Sequence, residues 1–326
     1  MNNSGGRVRK ALVVALMAVL ISMGAYGQEL DPVTKWATIA FNEFHLSQNI
    51  VYQRASGVSL KLDVITAGPA STVRPTLIYF HGGGLVEGAK EGTLLYALPY
   101  LARGMNAVNV EYRMAPDSLA PAAVEDSRCA LHWVYDNADK FGFDTSKIVV
   151  AGHSAGGYLA LMTGMLDPSY NYDNDCTRLA ADWRAGTIRD VKVAAIVNFF
   201  GITDYVDLLQ GPNTRNFAVR WFGGLPNRLE LARQLSPLTY VRKGLPPIIS
   251  LDGDKDPIVP YQHAVRLHEG LTRQGVPNQL VTIPGGGHGA TPPFEWNREQ
   301  NLQAQEAIFQ FLVKCGIVAP GSGAGN

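Results

Sequence analysis

The sequence predicts an α/β domain built on an open, mainly parallel sheet with helices on both faces. Two observations lead there. The first is a series of short runs that are apolar without alternation, at residues 76–80, 107–110, 148–151, 193–199, 248–251 and 279–283. Such runs suit parallel strands buried on both faces, whereas a half-exposed strand alternates. The second is that helix-length segments fall between these runs, at residues 93–103, 122–140, 154–165, 261–274 and 295–314. Strands alternating with helices give a parallel sheet covered on both sides, and its reactive loops lie beyond the carboxyl ends of the strands.

Ahead of this alternation, residues 32–47 read as a helix with Trp36, Ala40, Phe41 and Phe44 on one side. Residues 50–52 and 59–64 read as strands, the second alternating Leu60, Leu62 and Val64 with Ser59, Lys61 and Asp63. Two segments interrupt the pattern. Residues 167–190 are polar and rich in Asp and Asn, while residues 203–237 carry Gly211-Pro212, Gly223-Gly224, Phe217, Trp221 and Phe222. The second segment reads as a small cap inserted above the sheet, since loops of this length in a compact domain usually serve function. The tail, residues 319–326, is glycine-rich and expected to fray.

Arg7, Arg9 and Lys10 precede an uncharged, mostly apolar run over residues 11–23, and Ala25-Tyr26-Gly27 offers small residues where a signal peptidase reads them. Residues 1–27 are therefore expected to be a signal peptide cleaved before Gln28, which makes the protein secreted or periplasmic. The alternative is an uncleaved anchor, but the run is short for a transmembrane helix, and stable membrane insertion is not expected. The remaining residues 28–318 form one domain, consistent with a chain of 326 residues. Charge is balanced, at 28 basic and 28 acidic residues, with no basic stripe of the kind that binds nucleic acid. Of the cysteines, Cys129 sits on an apolar helical face and reads as a small core residue. A bond between Cys176 and Cys315 is left open, and the spacing fits no zinc pattern.

The chemistry concentrates at predicted strand ends. Gly152-His153-Ser154-Ala155-Gly156 follows the strand at 148–151 and opens an apolar helix. This is the context a nucleophile elbow requires: small neighbours permit the tight turn, and the serine hydroxyl emerges at a helix N-terminus that favours negative charge. His81-Gly82-Gly83-Gly84 ends the strand at 76–80. Acyl transfer passes through an oxyanion that needs pre-aimed N–H donors, and the donors expected are Gly83, Gly84 and Ala155. His81 reads as a brace for its loop. The base expected is His288, in the loop Gly285-Gly286-Gly287-His288-Gly289 after a strand. His263 and His268 fall on a predicted helix, and His153 lies beside the nucleophile but points elsewhere. The acid comes from Asp252-Gly253-Asp254-Lys255-Asp256. Asp256 is preferred, with Asp252 second.

These residues resemble those of α/β-hydrolase esterases of the hormone-sensitive-lipase-like kind, in particular the bacterial feruloyl and acetyl-xylan esterase-like branch. The resemblance runs from about Ile50 to Val313. It includes the His81 loop, Glu111-Tyr112-Arg113-Met114-Ala115-Pro116, Pro121-Ala122-Ala123-Val124-Glu125-Asp126, the Ser154 elbow with Gly157, Asp256-Pro257-Ile258-Val259-Pro260, and Gly287-His288-Gly289. It implies the α/β-hydrolase fold, Asp256 as the acid, and structural roles for Arg113, Glu125 and Asp126. Lipase-like members usually carry Asp where this chain has His153, and many relatives carry an aromatic residue where this chain has Leu85.

The expected function is that of an exported serine carboxylic-ester hydrolase using a Ser154–His288–Asp256 triad, with no metal or other cofactor. Its expected substrates are short-chain, acetyl or feruloyl esters, small or carbohydrate-linked. Leu85, His153 and Trp221 are the candidates for substrate contact. The alternatives are a broad short-chain carboxylesterase or lipase-like enzyme, and a non-catalytic binding protein on the same fold.

Overall fold

The computed structural model describes residues 30–115, 117–174, 176, 190–289 and 295–321. Two compact units divide the chain between Glu43 and Phe44. In the first, α1 spans Pro32–Glu43. Asp31 starts it, its Oδ1 accepting from the N–H groups of Val33 and Thr34 at 3.0 and 3.1 Å. The expected signal peptide lies outside the described residues. Among them, no helix is long and apolar enough to cross a membrane.

The second unit holds one eight-stranded sheet in the order β1-β2-β4-β3-β5-β6-β7-β8. Its strands are β1 (Phe44–Ala55), β2 (Val58–Ala67), β3 (Arg74–Phe80), β4 (Asn106–Val110), β5 (Phe143–His153), β6 (Ala195–Phe199), β7 (Ile248–Gly253) and β8 (Asn278–Ile283). β1 and β2 pair antiparallel, as do β2 and β4, and the other pairings are parallel. The continuous apolar runs have a simple cause. On β3, Ile78 and Phe80 feed one core while Leu77 and Tyr79 feed the other, so every position meets apolar packing. β6 is buried along its whole length.

Sequence expectation and structure part company mainly at the edge. The predicted helix to residue 47 stops at Glu43, and Phe44 instead opens a twelve-residue β1. Most of the first half of β1 is exposed and polar, so it lacks the alternation that marks a strand. What makes it a strand is pairing with β2, with irregularities between Ser47 and Ile50 and between Val51 and Gln53.

The helices are α2 (Leu94–Leu101), α3 (Ala122–Asp136), α4 (Ala138–Phe141), α5 (Ala155–Met165), α6 (Tyr205–Leu209), α7 (Asn216–Phe222), α8 (Arg228–Gln234), α9 (Gln262–Arg273) and α10 (Arg298–Lys314). α9 buries His263, Ala264, Leu267, His268 and Leu271, a helical stripe facing the core. α10 begins at Arg298, three residues later than the apolar pattern suggests. Asn297 and Gln300 form a reciprocal capping box there. The predicted helix over 122–140 is interrupted at Asn137. The segment expected as a cap contains the short helices α6, α7 and α8.

Two buried ion pairs hold α3. Arg113 donates to Asp126 through Nε at 2.9 Å and Nη2 at 2.7 Å, and its backbone N–H reaches the same carboxylate at 2.8 Å. Arg128 grips Asp173 through Nε and Nη2, both at 2.6 Å. Next to Arg128, Cys129 is disulfide-bonded to Cys176, with Cα atoms 5.0 Å apart, and Cys315 is free. This corrects the reading of Cys129 as a plain core thiol and answers the Cys176–Cys315 question. Cys129 is indeed buried, and the Arg128–Asp173 pair holds Asp173, three residues before Cys176, beside α3. Closing a loop of this length stabilises the fold by about 4 kcal/mol on the chain-entropy model.

Candidate active site

The strand order reverses at β3. The chain leaves β3 for β4 on one side and returns to β5 on the other, so the ends of β3 and β5 open a crevice at a switch point. Phe80 lies opposite Gly152 across this pair. The His81 loop and the Ser154 elbow are thereby neighbours before any side chain is considered.

At the elbow, Ser154 adopts φ 55° and ψ −120°, a conformation that L residues rarely hold. Its N–H donates to the Phe199 carbonyl at 2.9 Å. The turn is tight enough that a Cβ on Gly156 would lie 2.0 Å from the Phe80 carbonyl oxygen. Ser154 Oγ lies 2.9 Å from His288 Nε2, and His288 Nδ1 lies 2.6 Å from Asp256 Oδ2. A carboxylate only accepts, so Nδ1 carries the proton and Nε2 is left to accept from the serine hydroxyl. The other Asp256 oxygen accepts the N–H groups of Ile258 and Val259 at 2.7 and 3.0 Å, which fixes the carboxylate.

The remaining acids are otherwise engaged. Asp254 accepts from the Gly285 N–H at 2.7 Å and ties its loop to that of His288. Asp252 is buried, and its Oδ2 has no hydrogen-bond partner. Burial, with a smaller contribution from the Asp256 charge, pushes its carboxyl well above the usual range. Phe200 flanks His288 from the side. Its ring stands edge-on to His288 with centroids 4.6 Å apart, and its backbone takes φ 40°. A Cβ on Gly289 would come within 2.2 Å of the same ring. Nothing in the sequence marked Phe200, because its position follows from a strained turn after β6.

The loop after β3 is held by its carbonyl groups. Tyr112 donates to the His81 carbonyl at 2.7 Å, and His81 Nδ1 faces the Gly82 carbonyl at 2.7 Å. The Gly83 carbonyl accepts from Val86 and Glu87, both at 3.1 Å. Among the described residues, the N–H groups of Gly83, Gly84 and Ala155 meet no acceptor. His81 is buried, and desolvation lowers its pKa to about 4. It is therefore neutral, with the proton on the nitrogen facing Gly82.

The candidates for substrate contact fare differently. Leu85 has φ 61° and no exposed surface, and Trp221 is equally buried, packed edge-on against Tyr158 and Phe222. Both are packed in the core. His153 does not point away from the site's framework but hydrogen-bonds to Tyr79 and to Gly82. In the segment 203–237, Phe217 lies against the glycine loop. Its Cβ would be 2.8 Å from a Cβ placed on Gly84. Its neighbour Arg215 donates to the carbonyls of Ile258 and Pro257 at 2.8 and 3.2 Å, next to Asp256. Among the described residues, no group of three or more His, Cys, Asp or Glu side chains is gathered as a metal would require.

Comparison with known proteins agrees with this fold. The BD-FAE family model matches residues 62–271, and the model of the TAP-like protein family matches residues 228–316. The chain is 31% identical over 224 residues to esterase LipC of Mycobacterium tuberculosis, an alignment covering 66% of this chain and 53% of LipC. It is 30% identical over 221 residues to carboxylesterase NlhH of the same organism, covering 66% of each. The aligned part thus spans about half the length of LipC. Among solved structures, butyrate-bound esterase 2 of the planctomycete Thermogutta terrifontis superposes with a TM-score of 0.68 at 27% identity, covering 83% of this chain and 95% of that one. The same esterase has been solved with propionate bound and phosphorylated by paraoxon. The fold is that of the α/β-hydrolase esterases.

Proposed function

We propose that this chain, which belongs to the BD-FAE family, is a serine carboxylesterase acting on short acyl esters. The observation that carries the proposal is His288 standing between Ser154 Oγ at 2.9 Å and Asp256 Oδ2 at 2.6 Å. Ser154 Oγ attacks the ester carbonyl carbon and its proton passes to His288 Nε2. The carbonyl oxygen becomes an oxyanion, which accepts from the N–H groups of Gly83, Gly84 and Ala155. Collapse breaks the bond to the alcohol oxygen, and His288 returns the proton to that leaving group. Water then attacks the acyl-enzyme by the same route and releases the acid. Asp256 holds the imidazole tautomer and stabilises the imidazolium.

Two finer readings complete the proposal. Phe217 over the oxyanion loop limits the space beside Gly84, which favours small acyl groups such as acetyl. The similar esterase that holds propionate and butyrate supports the same size class. Acetyl groups on carbohydrate are the natural esters that fit this limit, and feruloyl esters, with a far larger acyl group, are the second reading. Export before Gln28 completes the reading, and the Cys129–Cys176 disulfide suits an oxidising compartment. The test is hydrolysis of p-nitrophenyl acyl esters, methyl ferulate and acetylated xylan, with Ser154→Ala alongside. Turnover of the short esters, lost by a factor on the order of 10⁶ in the variant, is expected. Retained turnover in the variant overturns the serine mechanism, and preference for long acyl chains overturns the size class.

A further inference from the structure

His153, the residue before the nucleophile, takes no part in the proton transfers above, yet both of its ring nitrogens are engaged. The Gly82 N–H donates to Nε2 at 3.2 Å, and the Tyr79 hydroxyl meets Nδ1 at 3.0 Å. A backbone N–H is only a donor, so Nε2 must be the unprotonated nitrogen. Nδ1 then carries the hydrogen and gives it to the Tyr79 oxygen. A neutral ring is required: a second proton, on Nε2, would face the Gly82 N–H as donor against donor. The surroundings keep the ring neutral. Burial leads in lowering its pKa to about 4, with His81 and His288 adding to the effect. Tyr96 stacks on the ring at 4.9 Å, and Phe200 flanks it at 6.3 Å.

The contact reaches the oxyanion loop at a decisive place. The Gly82 N–H belongs to the peptide whose carbonyl is that of His81, held by Tyr112. The next peptide has its carbonyl held by His81 Nδ1 and presents the free Gly83 N–H. Successive peptide planes are thus each held by a histidine, one that accepts and one that donates. Side-chain space agrees: a Cβ on Gly82 would lie 2.7 Å from His153 Nε2, so only glycine lets the ring come this close.

We infer that His153 is a positioning residue that aims the oxyanion donors, by accepting the Gly82 N–H as a neutral, Nδ1-protonated ring braced by Tyr79. The inference rests on the serine esterase reading of the same site. It links the elbow to the loop that serves it: the residue that turns β5 toward Ser154 also sets the plane before Gly83. Loss of the acceptor should therefore weaken stabilisation of the tetrahedral state and leave ester binding in place.

The test compares the full chain with His153→Phe, which keeps a flat ring but has no acceptor, and with His153→Gln, which restores one. For p-nitrophenyl acetate, His153→Phe should lower kcat by about 10²-fold with KM changed by less than about threefold. Its affinity for a trifluoromethyl ketone, which binds as a tetrahedral oxyanion, should fall by the same factor as kcat. His153→Gln should recover at least about tenfold of the loss. Nitrogen-15 NMR of the unaltered protein should find Nε2 of His153 unprotonated and Nδ1 protonated, a readout independent of any variant's folding. A folded His153→Phe with unchanged kcat, equal losses in Phe and Gln variants, or a proton on Nε2 each overturns the inference. Ser154→Ala separates this from the parent reading. If that variant is inactive while His153→Phe is not impaired, only the positioning role fails; if Ser154→Ala stays active, the esterase mechanism itself fails.

Discussion

The site has two halves built by different means. The half around Ser154 is made of backbone. Its strained serine, its free N–H groups and the glycines beside them are set by β3 and β5, adjacent parallel strands at the centre of the sheet. The half around His288 is made of side chains on loops. Asp256 is fixed by a turn of its own, Asp254 ties the two loops together, and Phe200 closes the side. The contrast teaches where each half is vulnerable. Backbone geometry fails when a Cβ is added, whereas a side-chain relay fails when one atom of a hydrogen bond is changed.

The sharpest test of the relay half is Asp256→Asn set against Asp252→Asn. The first replaces the acceptor of His288 Nδ1–H and favours the wrong tautomer, so kcat should fall on the order of 10⁴-fold with folding intact. The second changes a buried acid that makes no hydrogen bond to His288, whose Nδ1 bonds Asp256 instead, so the loss should stay under about tenfold. Steady-state kinetics on both variants decide it, and similar losses would break the division of labour between these acids.

The backbone half is probed by Gly84→Ala. This residue has φ 63°, and an added Cβ would press on Phe217 at 2.8 Å. Displacing one donor should cost about 10²–10³-fold in kcat. The stability of the remainder should fall by only a few kcal/mol, on the order expected for φ strain plus one contact. Thermal unfolding measured beside the kinetics separates the two, and a variant with full kcat would contradict the role given to this loop.

These halves were legible in the sequence to different degrees. The elbow and the glycine loop announce themselves, because tight turns demand glycine at fixed spacing and follow continuous apolar strands. His288 was legible from its loop between glycines. Among three neighbouring acids Asp256 was preferred with Asp252 second, and the family resemblance implied the same choice; the loop's sequence alone does not show which carboxylate the fold aims at His288. Phe200, Tyr79 and Arg215 were not legible as parts of the site. Their roles arise from contacts between residues far apart in the chain, which leave no periodic trace. The same reason hid the Cys129–Cys176 bond, because the Arg128–Asp173 pair holds Asp173, three residues before Cys176, beside α3. Edge strand β1 was half missed because most of the exposed positions in its first half are polar, without alternation.

A smaller effect sharpens the comparison from outside the site. Replacing both Cys129 and Cys176 by alanine should lower unfolding free energy by about 2–5 kcal/mol and leave kcat of the folded enzyme near that of the parent. Urea unfolding and steady-state kinetics on the same sample check this. A fall in kcat as large as the one expected for Gly84→Ala would mean that the disulfide-bonded segment takes part in the site.

The central claim is that Ser154 carries the acyl group, and acid quenching during turnover of p-nitrophenyl acetate tests it most directly. The account predicts a burst of nitrophenol matched by one acetyl group per chain, found by mass spectrometry on the peptide containing Ser154. Steady turnover with that peptide unmodified, and the acetyl group on another residue or on none, would contradict it.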